Sequence, residues 1–186
     1  MIFSFMRPSE TEISEIYAFP IAMAESVKGA VPLLARDQMH SPTDTVISVR
    51  VAEELLNIPY RVYYDKQRLL KTTNIPGEDG LISLCLGTRH YDGFIREQCL
   101  RRLLTVDEKW IAPFVIQLLG EYVIEVIQPI QERFDEGVEA KYIEFFKQNS
   151  IHCQYLEQRA ISYWNEYYDI ASPSTRIIRL LKHWQR

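Results

Sequence analysis

The sequence predicts an all-α fold, an irregular bundle of about eight or nine helices in a single domain that spans residues 1–186. Two observations lead to this prediction. Apolar residues recur every three or four positions along most of the chain, and helix-capping residues stand before these segments. The composition agrees, because 47% hydrophobic and 25% charged residues are the proportions of an ordinary globular domain.

The first part of the chain predicts three helices. Residues 9–12 supply a cap and an acidic first turn, and Pro20 precedes a second helix that ends near Leu34. A third helix is predicted over residues 46–57, where five apolar residues share one face: Val46, Val49, Ala52, Leu55 and Leu56. Residues 58–72 stay open, because the β-branched and aromatic run that begins at Tyr60 suits a short strand as well as a helix.

The strongest pattern predicts a long central helix over residues 111–135. Its apolar residues recur at nearly every fourth position and cover most sides of the helix, so we expect it to form the spine of the core. Pro113 fits a first helical turn. Pro129 removes a mid-helix hydrogen bond and is expected to kink or end the helix there.

Shorter helices are predicted on both sides of this central helix. Residues 81–86 form an apolar helix that Gly87 ends, and Asp92 can cap the helix that follows. Three more helices are expected after Gly137: one from residue 138, one after the cap at 149–150 and a terminal one after the cap at 172–174.

One part of the sequence is similar to a known repeat. Residues 80–131 contain an apolar helix, a turn ending at Asp92, the segments 95–97 and 99–100, and then the long apolar run. This order resembles a HEAT-type helical hairpin, and the resemblance implies repeats that stack into a concave scaffold and bind other macromolecules. A single copy is present where that architecture needs about three or more, and an ordinary helical bundle gives the same pattern.

Charge and cysteine content limit the expected partners and compartment. With 25 acidic and 21 basic residues and a net charge of -4, the chain has no overall attraction to nucleic acid or anionic lipid. Three widely separated cysteines suit a reducing compartment, and no segment resembles a signal peptide or a membrane span of about 18–20 apolar residues. We therefore expect a cytoplasmic protein without membrane attachment.

The densest group of titratable residues is Arg89, His90, Asp92 and Arg96. A histidine near a carboxylate can act as a general base, and arginines at a helix start can hold an anion. These four residues are therefore the candidate pocket for a ligand or a reaction. Three of them also have a structural explanation: Asp92 as a helix cap, Arg96 as solvated helix surface and His90 as a loop residue.

A second candidate site is an aromatic surface near the C-terminal end of the chain. Tyr163, Trp164 and Tyr167 fall on one side of a predicted helix, whereas Tyr168 falls off that side. Tyrosine and tryptophan combine a large contact area with a polar group, so this surface is expected to bind a partner. The alternative is that a second layer of helices covers it.

A third pattern resembles a helix-turn-helix. The predicted helix that ends at Pro59 would be its first helix, and Ala52 would be the small residue where the two helices pack. Basic residues of the following segment would then contact phosphates: Arg61, Lys66, Arg68 and Lys71. A structural hairpin of two helices explains the same residues.

Motifs for cofactors, metals and covalent catalysis are absent from the sequence. The four histidines are scattered, and no His-x-x-x-His, Glu-x-x-His, Walker loop, Gly-x-Gly-x-x-Gly or Gly-x-Ser-x-Gly occurs. We therefore expect no cofactor and no metal, while enzymatic activity stays open.

Three functional hypotheses follow. The first is a protein-interaction or scaffold module that binds a protein partner or a second copy of itself, as a homodimer, through the aromatic surface. The second is a small-ligand-binding protein or enzyme with a pocket near residues 89–97. The third is a helix-turn-helix DNA-binding regulator, against which the acidic overall charge argues.

Overall fold

A computed structural model describes residues 14–36, 45–167 and 173–183, with the side chains of 164–167 outside the description. Nine α-helices and one two-stranded sheet occur within these ranges. The predicted multi-helix α fold is confirmed, and the β-hairpin is an addition to it. Buried residues between Ala18 and Leu181 form one hydrophobic cluster.

The N-terminal part agrees with the prediction where it is described. The cap at residues 9–12 lies outside the described residues, and short 3₁₀ turns occupy Ser14–Ala18 and Ile21–Met23. Helix α1 then spans Ala24–Leu34, which is the second predicted helix.

The third predicted helix is wrong. Residues 46–57 fold with their neighbours into an antiparallel hairpin of β1, Val46–Val51, and β2, Glu54–Pro59. The apolar residues taken as one helix face divide between the two sides of the hairpin, with Val49 buried and Leu55 exposed. The expected helix-turn-helix therefore lacks its first helix.

The open segment 58–72 contains extended chain followed by a helix. Val62 and Tyr64 form isolated β-bridges with His90 and Arg36. Helix α2 then spans Lys66–Thr72, and the Asp65 side chain accepts from the backbone N–H of Arg68 at 2.8 Å. Helices α3, Glu78–Gly87, and α4, Gly93–Leu103, follow as predicted.

The predicted central helix is buried as expected but is not continuous. A 3₁₀ turn at Lys109–Ile111 leads into α5, Ala112–Ile116, and a second 3₁₀ turn at Gln117–Gly120. The chain is extended at Glu121, and α6 then spans Ile124–Glu136. The single long helix predicted over 111–135 is therefore wrong.

The break turns Glu121 into extended chain, where it pairs with Arg61 and Arg96, and it brings Gly120 against a neighbouring helix. A Cβ atom there would lie 2.9 Å from Cδ2 of Leu156, so the backbone approaches the neighbouring helix too closely for a side chain. The break does not occur at Pro129, where it was predicted, since α6 continues through that residue.

The three C-terminal helices agree with the prediction. They are α7, Ala140–Gln148, α8, Ser150–Tyr167, and α9, Pro173–His183. In the described ranges, every helix is too short or too polar to cross a membrane.

Candidate functional site

A buried cluster of arginines surrounds Glu121, the extended residue between the 3₁₀ turn and α6. Its Oε1 accepts from Nη2 of Arg61 at 2.6 Å, and its Oε2 lies 3.5 Å from Nη2 of Arg96. Burial alone would raise the pKa of Glu121, but Arg96, Arg61 and Arg89 outweigh that effect and lower it. Glu121 is therefore ionised and holds this part of the core together.

Arg89 gives the cluster more positive charge than Glu121 can balance. It is fully buried, and its Nη2 donates to the backbone oxygen of Tyr60 at 3.0 Å, while Nε and Nη1 have no partner among the described residues. Burial, followed by repulsion from Arg61, lowers the pKa of Arg89 to about 9, so it is still charged at neutral pH.

His90 and Asp92 do not form an acid–base pair. Nε2 of His90 lies 3.0 Å from the backbone oxygen of Tyr64, and Nδ1 accepts from the backbone N–H of Asp92 at 3.1 Å. Burial lowers the pKa of His90, which favours this neutral form. The Asp92 carboxylate instead caps α4 through the N–H of Phe94 at 2.9 Å and pairs with Lys66.

The predicted pocket residues thus occupy a packed interior. Arg89, His90 and Arg96 are closed to solvent, and Arg96 donates to the backbone oxygens of His90 and Tyr91, both at 2.9 Å. Arg96 reaches Glu121 and the charge of Arg89 acts on it, whereas the His90 ring is bonded to backbone groups. The expectation of Arg96 as solvated helix surface is wrong, because it is 4% exposed.

A pocket adjoins this cluster through Tyr60. Its volume is about 430 Å³, and it lies between strand β1 and helix α8. β1 and the residue before it form one wall, α8 forms the other, and Gln117 from the 3₁₀ turn also contributes. The lining residues are Thr45, Val46, Ile47, Ser48, Tyr60, Gln117, His152, Tyr155 and Arg159.

Arg159 is positioned in this pocket by tyrosines. Its Nη2 donates to the hydroxyl oxygens of Tyr60 at 2.9 Å and Tyr163 at 3.4 Å. Its guanidinium carbon also lies 5.6 Å from the ring centroid of Tyr60 and 5.8 Å from that of Tyr155. Burial would lower the pKa of Arg159, but its hydrogen bonds to Tyr60 and Tyr155 raise it.

Gln117 and His152 add two neutral groups to the pocket wall. Gln117 is 5% exposed, and no described donor reaches its Oε1. Burial, followed by repulsion from Arg89, lowers the pKa of His152 to about 4. His152 is therefore uncharged at neutral pH, so one nitrogen of its ring can donate a hydrogen bond and the other can accept one.

The charge of this pocket is unbalanced. No carboxylate lines it, and Arg159 makes no ion pair within the described part of the chain. A larger pocket of about 470 Å³ between α4 and α6 differs in this respect, because its Arg101 and Arg133 pair with Glu97 and Glu136. The pocket beside β1 is thus suited to an anion.

The second predicted site is only partly described. The hydroxyl of Tyr163 accepts from Arg159, and its ring centroid lies 5.6 Å from that of Tyr122. The side chains of Trp164 and Tyr167, and all of Tyr168, lie outside the described residues. The aromatic surface stays a prediction, and the structure adds that Tyr163 helps to position Arg159.

Sequence reasoning missed the residues that form the pocket. Tyr60, Gln117, His152 and Arg159 come from four separate segments, so no local spacing connects them. The sequence held one relevant signal, the β-branched and aromatic run that begins at residue 60. This run allowed a strand directly after the segment that was predicted as a helix.

Comparisons with known proteins do not assign this site. No protein-family model, curated protein or solved structure significantly matches the chain. In the ranges described above, no group of three or more histidine, cysteine, aspartate or glutamate side chains is arranged to hold a metal ion.

Proposed function

We propose that this protein is a ligand-binding module whose pocket between β1 and α8 accepts a carboxylate-bearing ligand. The observation that carries the proposal is Arg159. It lines the pocket, is held by tyrosine hydroxyls and rings, and has no carboxylate partner among the described residues. An arginine fork binds a carboxylate through two parallel hydrogen bonds.

Two further features support an anionic ligand. The buried arginine cluster carries three guanidinium groups around a single carboxylate, and Arg89 acts on His152 in the pocket wall. The excess positive charge of the buried arginine cluster therefore also acts on the pocket. Gln117, with a buried Oε1 that accepts from no described donor, is a neutral polar group in the same wall and adds no negative charge to the pocket.

Titration followed by ¹H–¹⁵N NMR spectra tests the proposal. The probes are pairs of small molecules that differ only in charge, such as benzoate and benzamide at neutral pH. Benzoate is expected to shift the resonances of Ser48, Tyr60, Gln117 and Arg159, and benzamide is expected to leave them in place. The Arg159→Gln variant should lose the response to benzoate.

Arg176→Gln is the matched control variant. Arg176 is exposed and pairs with Asp135 away from the pocket, so its replacement should leave the benzoate response unchanged. Equal shifts with benzamide, or an undiminished response of a folded Arg159→Gln variant, would overturn the proposal.

A second candidate function is association with a protein partner or a second copy of the chain. The supporting observation is that α8 exposes two large apolar side chains, Ile151 at 82% in its first turn and Ile161 at 40% close to the predicted aromatic surface. Light scattering after size exclusion tests it. A dimer mass that Ile151→Ser or Trp164→Ser reduces would favour association, and a monomer mass in all forms would argue against self-association.

We also propose a cytoplasmic location. Cys85, Cys99 and Cys153 are free and buried, and unpaired thiols are typical of reducing compartments. Fractionation of cells that produce the protein tests this proposal, which predicts recovery with cytoplasmic markers.

A further inference from the structure

The outer edge of β1 presents backbone groups toward the pocket. In the register of the hairpin, Thr45 opposes Tyr60, and its oxygen accepts from the Tyr60 N–H at 2.9 Å. Since hydrogen-bonded and non-hydrogen-bonded pairs alternate in an antiparallel ladder, the N–H and C=O groups of Val46, Ser48 and Arg50 point away from β2.

At one end of this edge, a side chain already takes the place of a neighbouring strand. Oδ1 of Asn149 accepts from the N–H of Arg50 at 2.7 Å, and Nδ2 of Asn149 donates to the Arg50 oxygen at 2.8 Å. This contact confirms the outward direction of the Arg50 backbone groups. An amide group therefore fits beside β1 in the geometry of a paired strand.

At the other end, the described part of the chain leaves the edge unpaired. Val46 and Ser48 line the pocket, and none of the described residues bonds to their backbone N–H or C=O groups. Unpaired groups of a strand edge are a template for another extended chain. Among the described residues, the backbone N–H and C=O groups of Ser48 and Val46 are thus available to a ligand.

Helix α8 runs beside this edge and brings Arg159 to its open end. The four residue steps of β1 from Arg50 to Val46 span about 13 Å, and the ten steps from Asn149 to Arg159 span about 15 Å of helix. The two walls are therefore of similar length. Asn149 closes the groove at one end, and Arg159 stands with Tyr60 at the other.

We propose that the groove binds the C-terminal end of an extended peptide, which adds to β1 as an antiparallel strand and places its terminal carboxylate on Arg159. This inference rests on the proposed function, because it requires the pocket to accept a carboxylate. The last peptide residue lies opposite Val46, and the residue two positions before it lies opposite Ser48. Each of these residues exchanges two backbone hydrogen bonds with β1.

The direction of the peptide follows from the position of the charge. β1 begins at Val46, near Arg159, and proceeds toward Arg50, near Asn149. A peptide that ends at Arg159 must therefore run opposite to β1. One oxygen of its carboxylate can accept from the N–H of Val46 while the other faces the Arg159 guanidinium, so a single terminal group uses both features.

The test begins with a displayed library of random heptapeptides that end in a free carboxylate. A selected peptide is then synthesised as the free acid, as the C-terminal amide, and with single amide-to-ester replacements, which remove one N–H without adding bulk. Affinity is measured by calorimetry with the full chain.

The amide is expected to bind about tenfold more weakly or worse, because it loses a charge-assisted pair. An ester at the residue opposite Ser48 should weaken binding about fivefold, as one backbone hydrogen bond is lost. An ester at the next residue, whose N–H points away from β1, is the matched control and should bind as well as the parent peptide.

The outcomes separate the two proposals. If a selected peptide depends on Arg159 but tolerates the ester opposite Ser48, the strand addition is overturned while the carboxylate site stands. If no peptide is selected although benzoate still shifts Arg159, the peptide proposal alone is overturned. If neither peptides nor benzoate bind, both proposals are overturned.

Discussion

Two neighbouring regions of this protein contain arginine side chains, and the partners of these arginines differ between the regions. Around Glu121, the guanidinium groups of Arg89 and Arg96 are closed to solvent and that of Arg61 is mostly buried, and the three are bonded to one carboxylate and to backbone oxygens. In the pocket, Arg159 is bonded to tyrosine hydroxyls and makes no ion pair within the described ranges. The first arrangement stabilises the fold, whereas the second holds a charge ready for a ligand.

This difference shows why burial and charge must be considered together. Arg89 and Arg96 are the more deeply buried groups, yet their chemistry is directed inward. Arg159 is only half-buried, but it has access to a pocket and no competing carboxylate. Removing a member of the cluster should therefore reduce stability, and removing Arg159 should reduce binding.

The largest effect is expected for Glu121→Gln. Without the carboxylate, the buried charges of Arg61, Arg89 and Arg96 have no counter-ion, and removing one partner of a buried pair costs about 3–5 kcal/mol. Urea denaturation followed by circular dichroism measures the free energy of unfolding. Glu125→Gln, at an exposed position in α6, is the control. A loss below about 1 kcal/mol would show that the cluster does not depend on Glu121.

The next effect concerns His152 and pH. Its pKa of about 4 in the folded protein lies below the ordinary value of 6.5, so the unfolded chain binds the proton first as pH falls. Stability should therefore decrease between about pH 6.5 and pH 4, by about 2 kcal/mol after allowance for solvent screening.

Denaturation at several pH values compares the wild type with His152→Gln. The variant should lose less stability over this interval, because it carries no titrating ring. An identical pH dependence in both proteins would contradict the burial of a neutral His152. A smaller loss of stability in His152→Gln would also show that His152 becomes positively charged only in acid.

A smaller effect is expected for Asn149→Ala. The side chain of Asn149 pairs with both backbone groups of Arg50, and its loss should lower the free energy of unfolding by about 1–2 kcal/mol. Thermal denaturation measures this change. Ser150→Ala, at the neighbouring exposed position, is the control. No change would indicate that water replaces the asparagine at the edge of β1.

The smallest effect on stability is expected for Arg159→Gln. Its partners are tyrosine hydroxyls and rings that water can reach in part, so the free energy of unfolding should fall by less than about 1 kcal/mol. Binding of carboxylates should nevertheless be lost. A stability loss equal to that of Glu121→Gln would remove the distinction between the two regions.

Most of the fold could be predicted from the sequence because most helices have regular apolar spacing. Helices α1, α3, α4 and α7–α9 were predicted in this way. The hairpin was missed because Val46, Val49 and Leu56 also fit a helical face. Its turn carries Ala52 at a φ of 53°, a conformation that turn sequences usually give to glycine or asparagine.

The break in the central segment and the pocket depend on tertiary contacts. Gly120 allows α8 to approach, and Glu121 turns toward arginines that are distant in the sequence. Arg89 and Arg96 were selected for their density of charge, but the sequence could not show that they face inward. The pocket was out of reach for the same reason, since Tyr60 and Arg159 meet only in the folded chain.

The most direct test of the account is the ¹H–¹⁵N spectrum of the arginine Nε–H groups during addition of benzoate. Arg159 is expected to shift progressively while the signals of Arg61 and Arg96 stay unchanged, because Arg159 lines the pocket and the other two are paired with Glu121. A shift of Arg61 and Arg96 with Arg159 unmoved, or no shift at all, would contradict it.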